Sequence, residues 1–108
     1  MMLIVFPDQR DWYKANWAFR QLAQDIEQYC SPTPQASALL ETSQMYGTLR
    51  LDELAESLRS EAMRLLASVS GRTLKGEIPG WTKDGDGELQ YRQALSELLQ
   101  LVSQESAP

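Results

Sequence analysis

The sequence predicts an all-α fold: a small four-helix bundle-like domain with an apolar N-terminal arm or short strand. Three observations predict it. Four stretches repeat apolar residues at three- and four-residue spacing, as one buried helix face requires. Proline and glycine mark the joints between them. Only residues 3–6 have strong strand character, and a lone strand needs a partner. The alternative is α+β with a small N-terminal hairpin, in which residues 48–51 or 72–75 supply the pairing strand.

Residues 1–7 form the arm, stopped by Pro7. Residues 8–30 read as the first helix, with Asp8 as its cap and Asp11 at the positive end of its dipole. Trp12, Ala15, Phe19, Leu22, Ala23, Ile26, Tyr29 and Cys30 share one face, and Phe6 is placed to staple back onto Trp12. In Ser31-Pro32-Thr33-Pro34 the prolines force a turn, and Thr33 followed by Pro34 starts the second helix. That helix buries Ala36, Leu39, Leu40, Ser43 and Tyr46 and ends at Gly47.

Residues 51–70 give the third helix, whose stripe runs from Leu51 through Leu58 and Leu65 to Val69. Gly71 is its stop. Residues 71–87 are a long glycine-rich loop, well beyond the roughly two to eight residues that usually join helices. Residues 88–104 form the last helix around Tyr91, Ala94, Leu95, Leu98 and Val102, and residues 104–108 a frayed tail. The whole chain, 1–108, reads as a single helical domain.

Composition narrows function. There is no histidine, so a Ser-His-Asp triad, a Cys-His pair and an HExxH zinc site are excluded. One cysteine, Cys30, cannot make an intrachain disulfide or a multi-thiolate zinc site. Ten Lys and Arg against fifteen Asp and Glu give a net charge of -5, which makes nucleic acid an unfavourable partner. No stretch approaches the roughly 20 apolar residues of a membrane span, and the short apolar start lacks the flanks of a signal peptide. A cytoplasmic location is expected, with no cofactor.

The candidate site residues are partner anchors. Tyr13, Trp17 and Arg20 follow at roughly helical spacing on a second face of the first helix, and these residue types dominate binding hot spots. Trp81 sits in a loop with glycines on both sides and is a further anchor. Asp84, Asp86 and Glu88 supply acidic steering. The run Lys83-Asp84-Gly85-Asp86-Gly87-Glu88 resembles a calcium loop, but the pattern puts Thr82 and Gln93 where carboxylates belong. Glu53-Leu54-Ala55-Glu56 resembles one carboxylate pair of the all-α nucleotide pyrophosphohydrolases. That family needs a second pair downstream to hold magnesium, and none follows, so the chain is not assigned to it.

The expected function is therefore a small acidic protein-binding module, of the inhibitor or immunity-protein kind, that neutralises a basic protein. Catalysis is not required by anything in the sequence. The alternatives are a carboxylate-based, divalent-metal-dependent hydrolase using Glu53 and Glu56, or a structural subunit that self-associates through residues 3–6.

Overall fold

The computed structural model describes residues 1–79 and 85–106, the side chains of residues 85, 86, 105 and 106 excepted. The fold is α+β, which corrects the all-α expectation in favour of its alternative. Strands β1 (Met2–Val5), β2 (Asp11–Lys14) and β3 (Thr48–Arg50) form one mixed sheet in the order β2-β1-β3. Around it lie helices α1 (Asn16–Tyr29), α2 (Pro34–Tyr46), α3 (Glu56–Leu74) and α4 (Gly85–Ser106).

The correction is rooted in residues 8–14. Asp8 does not cap a helix. Its carboxylate accepts from the Arg10 backbone N–H at 3.1 Å and pairs with the Arg10 side chain. Gln9 takes a left-handed φ of 72°, and the Gln9 and Phe6 N–H groups close the turn onto Phe6 O and Arg10 O, each at 2.9 Å. The chain reverses, and β2 pairs antiparallel with β1, Ile4 opposite Trp12. Along β2 the side chains alternate: Trp12 is 2% exposed and Tyr13 56%. That is the two-residue period of a strand. The helical spacing from Trp12 to Phe19 arises because one core stripe continues through the bend at Ala15, which is extended at φ -61°, ψ 148°.

From Asn16 the chain is helical, and Phe19, Leu22, Ala23 and Ile26 are buried as the spacing predicts. Arg72 closes the end of α1 by donating to Tyr29 O at 3.0 Å, a cation on orphan carbonyls at the negative end of the dipole. Helix α2 keeps its predicted bounds. Thr33 Oγ1 accepts from Ala36 N at 3.2 Å, and Gly47 takes a φ of 71°. Glu61 on α3 accepts from Thr33 N at 3.0 Å and from Thr33 Oγ1 at 2.7 Å, tying this cap to the next helix. Only the last turn of α2 departs from expectation: Tyr46 is 77% exposed rather than buried.

Strand β3 then pairs parallel with β1, Ile4 opposite Leu49, so residues 48–50 are the predicted pairing strand and residues 72–75 are not. Leu51–Glu53 is a single 3-10 turn, and α3 starts only at Glu56. Gly71 does not stop α3. Nothing lies within 4 Å of where its Cβ would be, and the helix runs on to Leu74. The left-handed residue is Gly76, φ 83°, where Glu77 N–H returns to Arg72 O at 2.9 Å. Helix α4 takes residues 85–87 from the predicted loop. Arg92 on α4 donates to Leu74 O at 2.9 Å and finishes the end of α3.

The core lies between the sheet and the helices. Ile4, Trp12 and Leu49 share the inner sheet face and are buried with Phe19, Leu22, Leu65, Leu66 and Leu95. Trp12 Nε1 donates to Ala94 O at 2.8 Å, fixing α4 against β2. Residues 3–6 are not an edge, because β1 is the central strand with both sides paired. Among the described residues, no helix is long and apolar enough to cross a membrane.

Candidate functional site

The junction of β2 and α1 faces helix α4, and the two leave an open groove of about 580 Å³. Lys14, Ala15, Trp17 and Ala18 line one wall, and Gln90, Gln93, Ala94 and Glu97 line the other. Both walls follow from local sequence. The bend at Ala15 swings Trp17 out of the strand and into the first turn of α1. On α4, Gln90, Gln93 and Glu97 lie three and four residues apart, hence on one face.

Trp17 is half-buried, packed against the core, with its ring 6.2 Å from that of Tyr91 and tilted by 42°. Such a tilted aromatic pair holds its members in one orientation. Lys14 and Glu97 form an ion pair across the groove. Beyond that pair a second depression of about 410 Å³ continues along β2 and α4, with Tyr13 and Leu101 among its lining residues. Lys14 and Glu97 therefore line both depressions, and because the two ends of their ion pair are partly solvated, the pair is weak.

The polar interior lies behind Trp17. Asp25 on α1 is buried and accepts from Gln21 Nε2 at 3.1 Å and from the Tyr91 hydroxyl at 3.4 Å. Burial raises the Asp25 carboxyl above the ordinary carboxylate range, while its two hydrogen bonds pull the other way. The Tyr91 hydroxyl is raised too, by burial first and then by the adjacent carboxylate. This pair joins α1 to α4 beneath the groove.

The structure scatters the predicted anchors. Tyr13 lies on β2 rather than on the first helix, and Trp17 forms part of the groove. Arg20 is exposed and lines a separate cleft of about 120 Å³ with Met2, Phe19 and Gln44. Glu88 is exposed in the first turn of α4, outside the groove. Trp81 and Asp84, and the side chain of Asp86, lie outside the described residues. Sequence reading missed Gln90, Gln93 and Glu97. Their spacing was legible, but only as the solvated side of the last helix.

The proposed carboxylate pair is not stacked on one helix. Glu53 lies in the 3-10 turn, 3.7 Å from Arg50, and Glu56 opens α3. Glu61 is occupied by Thr33, which holds its carboxyl below the usual range. Among the described residues, no three His, Cys, Asp or Glu side chains are grouped to hold a metal ion. Cys30 ends α1 with its sulfur 3.9 Å from Ser68 Oγ and 4.0 Å from Arg72 Nη1.

Fold and groove together define an α+β protein with an aromatic-lined open groove beside an edge strand. No family model matches the chain, and neither the curated proteins nor the solved structures contain a significant match.

Proposed function

We propose that the chain is a small acidic protein-binding module that captures a basic protein in the cleft between β2 and α4. One observation carries this reading: Trp17 stands half-buried in an open groove of about 580 Å³, backed by Tyr91. Partly exposed aromatics set in pockets are the usual anchors of protein interfaces. The net charge of -5 speeds encounter with a cationic partner and disfavours acidic ones. Inhibition of that partner, in the manner of an immunity protein, is the form of capture this charge and size suit. The proposed compartment is the cytoplasm, where a lone thiol stays reduced.

Exposed Gln93 offers the cleanest test, because a larger side chain there fills the groove without touching the core. The wild-type protein, used as bait in native-host lysate, should retain one stoichiometric basic protein, released as salt rises. Gln93→Arg should weaken that capture at least tenfold while melting within about 0.5 kcal/mol of wild type. Glu41→Ala, on exposed α2 surface, should change neither. Retention that ignores Gln93→Arg, or the absence of any basic partner, would defeat the proposal.

A further inference from the structure

The central strand is apolar on both of its faces. Met2 and Ile4 point inward and are buried; Leu3 and Val5 point outward and are half-buried. A strand of that kind belongs in a sheet covered on both sides. Here, among the described residues, the core covers only the inner side. Across the outer side the register sets two rows, Tyr13–Leu3–Thr48 and Asp11–Val5–Arg50. Tyr13, Asp11 and Arg50 are exposed there.

We propose that this outer face seats a second copy of the chain, packed sheet to sheet about a two-fold axis that runs along β1. The charges choose both the occupant and the axis. Asp11 stands at the β2 edge and Arg50 at the β3 edge of the same row. A two-fold along β1 lays β2 of one copy over β3 of the other. Asp11 then meets Arg50 of the second copy, twice, and Val5 and Leu3 each meet their own counterparts. A two-fold lying across the strands would instead set Asp11 against Tyr13 and Arg50 against Thr48, giving neither charge an opposite charge in the second copy. A uniformly basic protein would gain at Asp11 but leave the remaining donors of Arg50 unused, so the face favours its own copy over such a partner.

Arg50 is ready for this role. Asp52 accepts from its Nη2 at 2.7 Å and its Nε at 3.2 Å, and Glu53 lies 3.7 Å from the same Nε, which fixes the guanidinium and leaves further donors for a carboxylate of the second copy. The apolar patch is small. Three strands about 4.8 Å apart and at most four residues long cover no more than roughly 14 by 13 Å, below the roughly 800 Å² per partner of a standard interface. The dimer is therefore weak and is populated only at high chain concentration.

Sedimentation velocity on the full chain, from roughly 5 to 500 μM, tests it over the concentrations at which a weak dimer would form. The wild type should pass from monomer to dimer. Val5→Glu sets two carboxylates face to face on the axis and should keep the chain monomeric. Val5→Thr keeps a β-branched residue and an unchanged far-ultraviolet dichroism spectrum, and should weaken the dimer about fivefold or more. Asp11→Arg and Arg50→Glu should each weaken it several-fold, and the two together should restore most of the loss. Gln93→Arg, in the groove, should leave it unchanged, so this dimer and the partner cleft stand or fall separately. A monomer at every concentration, or a dimer indifferent to Val5→Thr, overturns the proposal. So does a charge-swapped double variant no better than the singles.

Discussion

The two faces of the same three-stranded sheet live in different environments. On the inner face Ile4, Trp12 and Leu49 are sealed against helices, and the one polar atom of Trp12 is hydrogen-bonded at 2.8 Å. On the outer face Leu3 and Val5 keep part of their surface, and Tyr13 keeps 56% of its own. The difference separates two kinds of apolar residue that look alike in a sequence. Inner residues stabilise the fold. Outer ones cost little to change alone, so their value lies in what they meet.

That contrast breaks most visibly at Trp12. Trp12→Ala removes a fully buried ring and leaves Ala94 O without its donor, and should cost about 3–5 kcal/mol in urea unfolding. A loss below about 1.5 kcal/mol would show that the inner face repacks freely. Next comes the polar part of the same interior. Asp25→Ala strands the Tyr91 hydroxyl and the Gln21 amide and should cost about 1–3 kcal/mol.

Asp25→Asn is the sharper probe. An amide fits the same two partners without a buried charge, so stability at pH 7 should be equal to wild type or higher. The sign follows from the raised Asp25 carboxyl: the native state holds this proton more tightly than the unfolded chain does. Its contribution to stability is greatest in acid and falls as pH rises from the ordinary carboxylate value through the native one. Asp25→Asn should remove that fall. Asp52 and Glu61, both lowered by their hydrogen bonds, act with the opposite sign, losing their contribution as pH drops through their native values. Melting curves of Asp25→Asn and Glu61→Gln between pH 3 and 7 should therefore diverge from wild type in opposite senses.

The smallest effect belongs to the outer face. Tyr13→Ser should shift stability by no more than about 0.5 kcal/mol at dilute, monomeric concentrations. A cost above about 2 kcal/mol there would erase the distinction between the faces.

Much of the helical part was legible in residue types. Thr33 before Pro34 and Gly47 after Tyr46 bracket α2 because capping chemistry is local. The apolar stripes of α1, α3 and α4 were legible because burial imposes a period. The strand β2 was not. Four residues hold too few repeats to separate a period of two from one of 3.6, and its Trp12 lined up with Phe19 by continuing the same core. Gly71 misled for a related reason: a helix tolerates an interior glycine, and Gly76 holds the left-handed turn. The candidate site was only partly legible. Trp17 could be singled out by type, but the wall facing it comes from α4, more than seventy residues away in sequence, and no local pattern encodes that meeting.

The mixed pairing of β1 also sets an order of assembly. Its antiparallel side closes through the short turn between Val5 and Asp11, which forms on the microsecond scale. Its parallel side waits for the chain between Leu3 and Thr48 to close, at an entropic cost about 2 kcal/mol greater. The Trp12–Ala94 bond spans 82 positions and comes later still. An early hairpin thus exposes Ile4 and Val5 along an unfilled edge until β3 arrives. Slow closure of the α1–α2 segment is then the step at which this chain is most prone to pair with the wrong strand.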